Sequence, residues 1–429
     1  MGSSIDDRTP TGESLDQRLN ALVEQYEGEN PKSAAYHQRA RQVIPGGTTR
    51  SVFSTDPFPL TLSGGQGCFV TSVDGREYLD FVSEYNAGIY GHSHPAIRHA
   101  IDRAAQGGFN LGGPNEPEVE LAEKLVSRFP SMDTIRFCNS GTEANTMAIA
   151  TALHSTKRKK VMVFDRAYHG ATLMFAGTNP LNLPHDFVMG VYNDMETTRA
   201  RLTPDMGAIL VEPMLGAGGM IPATPAFLQM LRAEATRIGA VLIFDEIITS
   251  RLFYGGLQEH LGITPDMTTL GKHFGGGFSF GAFGGRSDIM ALFDPRATPD
   301  PLHHSGTWNN NTFSMAAGCV GADLLSRAAL ERTAALGRRL RRLRDGVAGA
   351  FARRRGGDPV VRVTGVSNVA GFDFLGPDGP RIRAAFYFFM LRRGIYVASR
   401  GFASLNIVHR QEHVDRLVAA VEEFCRDVL

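Results

Sequence analysis

Hydrophobic positions along the chain follow three rhythms, each marking a different part of the molecule. Near the start, Leu15, Leu19, Leu22, Val23 and Tyr26 recur at helical spacing, which predicts a short amphipathic helix. Such an arm packs on a neighbouring subunit or on the chain's own body, and the spacing fits both. Residues 1–14 lack the rhythm and read as disordered. Strand-like runs follow at 59–62, 68–71 and 78–81, with Asp74-Gly75 as a turn signal before the last. They predict a small antiparallel meander.

From about residue 118 the rhythm changes. Apolar runs at 135–138, 160–164, 208–211, 241–244 and 267–270 do not alternate with polar residues, as expected of strands covered on both faces. The segments between them are long enough for crossover helices. The clearest is 225–238, where Phe227, Leu228, Leu231, Ala235 and Ile238 share a face and Gly239 stands at the stop. This stretch predicts an α/β architecture with a mostly parallel sheet. Beyond about residue 330, Leu336, Leu340, Leu343, Val347 and Phe351 mark a helix with one core face. The arginines of Arg338-Arg-Leu-Arg-Arg-Leu-Arg344 then fall on its solvated side. Runs at 362–364 and 370–374 and a helix from about 411 complete a smaller α+β unit. The expected division is an arm over 1–30, a first part of a small domain over 31–90, a large domain over 91–330 and the rest of the small domain over 331–429.

Composition narrows the function classes. Lys+Arg and Asp+Glu both total 44, so no basic excess points to nucleic acid or an anionic membrane. No run reaches the roughly 18 apolar residues of a membrane span, and the polar N-terminus lacks a signal peptide's apolar segment. Met1-Gly-Ser-Ser-Ile-Asp6 departs from a myristoylation signal at Asp6. Cys68, Cys138, Cys319 and Cys425 show neither disulfide-framework nor zinc spacing, and no metal ligands are expected. A cytoplasmic enzyme without nucleic-acid or membrane partners is the expectation.

Five features fall where a parallel sheet brings residues together, at the C-terminal ends of its strands. Asn139-Ser-Gly-Thr-Glu143 opens a helix after the run 135–138; its N–H groups and the hydroxyls of Ser140 and Thr142 suit an anion, and the segment serves equally as a helix N-cap. Tyr168-His169-Gly170 offers an aromatic ring on a loop at a strand end. Asp245-Glu246 places carboxylates directly after an apolar strand, where a cationic partner or hydrogen-bond donors are required unless they cap a helix. Lys272 follows on a glycine-bracketed turn in Thr269-Leu-Gly-Lys272, among small and apolar residues that favour its free, nucleophilic amine. Ser305-Gly-Thr-Trp-Asn-Asn-Asn311 adds further polar donors. One molecule uses an amine, a carboxylate, a stacking surface and an anion seat together: pyridoxal 5′-phosphate. A dinucleotide would need G-x-G-x-x-G after a strand, which this chain lacks.

In that order, Asn139-Ser-Gly-Thr-Glu-Ala-Asn145, Tyr168-His-Gly170, Val211-Glu-Pro213, Phe244-Asp-Glu-Ile247 and Thr269-Leu-Gly-Lys272 resemble the class III aminotransferases of pyridoxal-phosphate fold type I, from about residue 35 to the end. The resemblance implies a large domain with a mostly parallel sheet and a smaller α+β domain drawn from both chain ends. It implies that Lys272 binds the cofactor aldehyde covalently and Asp245 pairs with its ring nitrogen. Tyr168 and Ile247 would flank the ring, Ser140, Gly141 and Thr142 would hold the phosphate, and Glu212 would sit near the ring hydroxyl. Thr307 would reach the phosphate of a partner subunit's cofactor, which implies a homodimer with shared sites.

Within the class, Leu270-Gly-Lys272 and Gly281-Ala-Phe-Gly-Gly-Arg286 look like glutamate-1-semialdehyde 2,1-aminomutase. Thr48-Thr-Arg-Ser-Val-Phe53, Pro57-Phe-Pro-Leu-Thr61, Glu84-Tyr-Asn-Ala-Gly88, His304-Ser-Gly-Thr307 and Ser399-Arg-Gly-Phe402 look more like the aromatic β-amino acid aminotransferases. By that likeness Arg50, Tyr85 and Arg400 are substrate-binding, the arginines through carboxylates. Leu215 departs from a glutamine common in the class, and Thr249-Ser-Arg-Leu252 from the aminomutase's Thr-Gly-Phe-Arg. The expected reaction is transfer of an amino group from a small-molecule donor, a β-phenylalanine-like amino acid, to 2-oxoglutarate by a ping-pong route. The alternatives are the aminomutase or another class III ω-aminotransferase and, remotely, a non-enzymatic binding protein of this fold.

Overall fold

The computed structural model describes residues 14–109, 111–341 and 361–429. The expectations for residues 1–13 and for Leu343, Val347 and Phe351 lie outside the described residues. The non-alternating apolar runs assemble into a seven-stranded sheet, in the order Thr134–Cys138, Gly281–Gly285, Met267–Gly271, Val241–Asp245, Met206–Val211, Lys160–Phe164 and Asp186–Gly190. From Met267–Gly271 outward all pairings are parallel, while Gly281–Gly285 runs antiparallel to both neighbours. Met206–Val211, Val241–Asp245 and Met267–Gly271 are buried at every residue, which is why they carry no alternation.

Two strands of this sheet have no counterpart in the sequence reading. Asp186–Gly190 is a partly exposed edge strand. Gly281–Gly285 is glycine-rich, a composition that disfavours strands. Crowding requires it there: a Cβ on Gly281 would lie 2.1 Å from the Ser140 carbonyl oxygen, and one on Gly284 2.5 Å from that of Thr134. The run 59–62 is a correction in the other direction. The first meander strand is Leu62–Gln66, after Pro57 and Pro59, whose missing N–H groups cannot join a ladder.

That strand pairs antiparallel with Phe69–Ser72, which pairs with Glu77–Asp80; Ile395–Tyr396, from the far end of the chain, adds in parallel. The helix Leu15–Glu29 begins with a capping box between Ser14 and Gln17. It buries Leu22 and Tyr26 in a core shared with Phe386, Phe389 and Phe424, and the Tyr26 hydroxyl donates to the Phe58 carbonyl at 3.1 Å. The arm therefore packs on its own body. No helix among the described residues is long and apolar enough to cross a membrane.

Candidate active site

Parallel strands end in one direction, so the residues that follow them share one edge of the sheet. Lys272 follows Met267–Gly271 and opens the single turn Lys272–Gly275 with φ +53°. A non-glycine residue there carries strain of roughly 1 kcal/mol, which neighbouring structure must hold. His273, Phe274 and Gly275 behind it are buried. Lys272 keeps part of its surface open, yet desolvation by these walls lowers its pKa; Asp245 and Glu212 oppose that shift, and Arg50 and Arg251 add to it.

Asp245 ends the neighbouring strand, in register with Thr269. Its Oδ1 accepts from the Ile247 N–H at 3.0 Å, and its Oδ2 accepts from Asn145 Nδ2 and His169 Nδ1, each at 2.8 Å. Because a carboxylate only accepts, His169 carries its proton on Nδ1. His169 Nε2 is buried without a hydrogen-bond partner among the described residues. Asn145 is fixed in turn: its Oδ1 accepts from the Thr269 hydroxyl at 2.7 Å, and its Nδ2 also donates to the His169 carbonyl at 2.9 Å. The adjacent carboxylate does a different job. Glu246 accepts from the Thr249 hydroxyl and from the Leu257 and Gln258 N–H groups, capping the helix Gly256–Leu261.

Glu212 follows Met206–Val211 and is buried. It accepts from the Tyr168 and Gly216 N–H groups, both at 3.0 Å, and so ties the Tyr168 loop to the sheet. Burial raises its pKa to about 7, with Asp245 adding and His169 opposing. The Tyr168 ring is 40% exposed. Ser140 is the N-cap of the helix Gly141–Thr156, its Oγ accepting from the Glu143 N–H at 3.1 Å. Backbone and side chains crowd here: a Cβ on Gly141 would lie 2.5 Å from Ile247 Cδ1, and one on Gly170 2.3 Å from Thr142 Oγ1. Ser140, Gly141, Thr142, Tyr168, Glu212, Asp245, Ile247 and Lys272 thus gather on one edge. It offers a free amine, a fixed carboxylate and a 16-residue helix's N-terminus for an anion.

The three expected substrate residues meet beside this edge. The Arg50 guanidinium lies 4.4 Å from the Phe53 ring centroid and 5.2 Å from that of Tyr85. Tyr85 donates to the Val52 carbonyl at 3.1 Å and packs edge-on against Phe53 and Phe402. Burial raises its pKa, while Ser399, Arg400 and Arg50 pull it down. Arg400 is exposed and makes no ion pair or hydrogen bond among the described residues. Thr307 is not with the others: it is exposed and lines a groove of about 950 Å³ with Phe109, Leu111 and Trp308, whose lining includes neither Lys272 nor Asp245. The sequence reading quoted Asn145, His169 and Thr269 within motifs but gave them no role. The available signal for Asn145 and Thr269 was a polar residue at a position that a helix or a strand buries completely, while His169 is buried on a loop.

Comparison with known proteins places the whole chain. The family model for class-III aminotransferases matches residues 52–345. The chain is 44% identical over 435 residues to a β-phenylalanine transaminase of Variovorax paradoxus, covering 96% of this chain and 97% of that one. A solved structure of a β-phenylalanine aminotransferase from the same organism superposes with a TM-score of 0.89, covering 96% and 97% of the two chains. A glutamate-1-semialdehyde 2,1-aminomutase of Desulforudis audaxviator is 36% identical over 427 residues, 92% of this chain and 98% of that one. A solved transaminase with pyridoxal phosphate bound is 31% identical, with a TM-score of 0.85 over 93% of this chain and 98% of its own.

Proposed function

The chain belongs to the class III aminotransferases, enzymes dependent on pyridoxal phosphate, and on that premise we propose that it moves the amino group of an aromatic β-amino acid to 2-oxoglutarate. The observation that carries the substrate reading is the cationic, aromatic mouth beside Lys272. Arg50 lies against Phe53 and Tyr85 and lowers the Lys272 pKa, and the Arg400 charge also lowers that of Tyr85. A carboxylate and an aromatic ring on one small molecule suit such a surface. The name of the Variovorax paradoxus relative points the same way.

The residues present fit the cofactor. Asp245, with three donors holding it, suits a protonated ring nitrogen. Ser140, Gly141 and Thr142 at a helix N-terminus suit a phosphate. Ile247 and Tyr168 would flank the ring, and Glu212 would lie toward its hydroxyl. Bound pyridoxal phosphate supplies an electron sink for the pair released when the substrate's C–H bond breaks. Lys272 Nζ, whose desolvated surroundings favour the free amine, takes the proton from the carbon that bears the amine. Asp245, held by the Ile247 N–H, Asn145 and His169, keeps its position beside the ring nitrogen. Arg50 and Arg400 hold carboxylates, those of the donor and then of the 2-oxo acid, which enters after the first product leaves. The large domain over 91–330 would carry the cofactor residues, and the small-domain parts over 31–90 and 331–429 would carry the two arginines.

We also infer a homodimer. Support comes from the groove at Thr307, where Trp308 is 51% and Phe109 62% exposed; apolar surface so placed marks an interface. Thr307 would then reach the partner's cofactor phosphate. The experiment for the substrate reading is glutamate formation from β-phenylalanine and 2-oxoglutarate. Sustained glutamate release is expected. Isomerisation of glutamate 1-semialdehyde with no need for 2-oxoglutarate would replace it with the aminomutase reading.

A further inference from the structure

Ser83, Glu84, Tyr85 and Asn86 all have left-handed backbone, with φ of 49°, 47°, 51° and 77°. Four such residues in a row, none of them glycine, are strained and persist only where the surroundings over-determine them. The surroundings do so here. Asp80 Oδ1 accepts from the Val82 and Ser83 N–H groups at 2.7 and 3.1 Å, and the Ser83 hydroxyl donates to the Gly88 carbonyl at 2.8 Å. Gly88 returns an N–H to the Ser83 carbonyl at 2.8 Å, and Ser404 donates to Asn86. The turn is fixed from below, and what it presents above is the Glu84 carboxylate, in an ion pair with Arg50.

We propose that Glu84 is a built-in competitor for Arg50, standing where a substrate carboxylate binds. This rests on the reading of Arg50 as a carboxylate site and adds a specificity residue to it. Two facts decide which partner moves. Arg50 has a second hold, the faces of Phe53 and Tyr85 at 4.4 and 5.2 Å, so it stays when the ion pair opens. Glu84 has no other side-chain partner among the described residues and is 55% exposed, against 44% for Arg50. Opening the pair therefore sends the Glu84 side chain into water without disturbing the strained turn. An exposed pair of this kind is worth no more than about 1 kcal/mol. That is enough to weaken a carboxylate ligand up to roughly fivefold, and too little to exclude one. A substrate carrying a carboxylate restores the charge pairing that it breaks. An amine without one gains nothing from Arg50.

The test uses the holoenzyme and 3-phenylpropanoate, a carboxylate without an amine that cannot turn over, with binding measured by calorimetry. Glu84→Gln is expected to tighten its binding about two- to fivefold, and to leave binding of the neutral 3-phenylpropanamide unchanged. Arg50→Gln is expected to abolish the preference for the acid over the amide. If Arg50→Gln removes that preference while Glu84→Gln leaves the acid's affinity unchanged or weakens it, Glu84 is no competitor and the carboxylate site alone stands. If wild type and Arg50→Gln bind the acid equally, Arg50 is not the carboxylate site and both readings fall.

Discussion

Three donors converge on Asp245, and one of them is removable without touching a charged group. Asn145→Ala deletes the 2.8 Å bond to Asp245 Oδ2 and also frees His169 and Thr269. A hydrogen bond to a buried charge is worth about 1.5–3 kcal/mol, so the apoenzyme's affinity for pyridoxal phosphate should fall at least about tenfold, read by fluorescence titration; unchanged affinity would remove Asn145 from the assembly that orients Asp245. Lys272→Ala should abolish turnover, and full activity would refute the assignment of the amine. Glu212 gives a pH test. Its pKa rises from 4.5 to about 7 on folding, so between those values the folded protein binds the extra proton and stability falls as pH rises. Glu212→Gln cannot ionise. Its denaturation midpoint as apoenzyme should therefore gain on wild type from about pH 5 to about pH 8, whereas parallel pH profiles would mean that Glu212 pays no burial penalty. Lys272 and Asp245 were legible in the sequence because each follows an apolar strand at a position where charge is costly. Asn145 was not, because the carboxylate it serves is 100 residues away.

At the scale of elements, the buried parallel strands were legible, while the partly exposed edge strand Asp186–Gly190 and the glycine-rich Gly281–Gly285 beside Ser140 were not. Gly281–Gly285 reads as loop by composition, yet its lack of side chains lets it pass the Ser140 carbonyl. Gly281→Ala should destabilise the protein by about 1–3 kcal/mol and weaken cofactor retention, because the Cβ pushes on the residue that caps Gly141–Thr156. Gly64→Ala, with nothing within 4 Å, is the control and should stay within about 0.5 kcal/mol in denaturant titration. Equal stability of the two variants would contradict the crowding argument. Hydrophobic spacing found the helix Leu15–Glu29 but left its docking face open, since Leu22 and Tyr26 meet partners from residues 379–392, at the opposite end of the chain.

For the whole molecule, the sequence order of motifs predicted the family because a parallel sheet turns serial strand ends into one edge. The gathering of Arg50, Tyr85 and Arg400 could not be derived from rhythm, since it depends on how the two chain ends fold onto that edge. The proposed dimer is open to a direct check: Trp308→Glu should shift the protein to its 46.6 kDa monomer in light scattering and abolish activity with Lys272 intact, and an active wild-type monomer would contradict the shared site. Transfer from an aromatic β-amino acid through Lys272 stands or falls on one absorbance scan of the holoenzyme before and after adding β-phenylalanine without a 2-oxo acid. The band of the lysine-bound cofactor should disappear and return when 2-oxoglutarate is added. A yellow protein whose band does not change would contradict it.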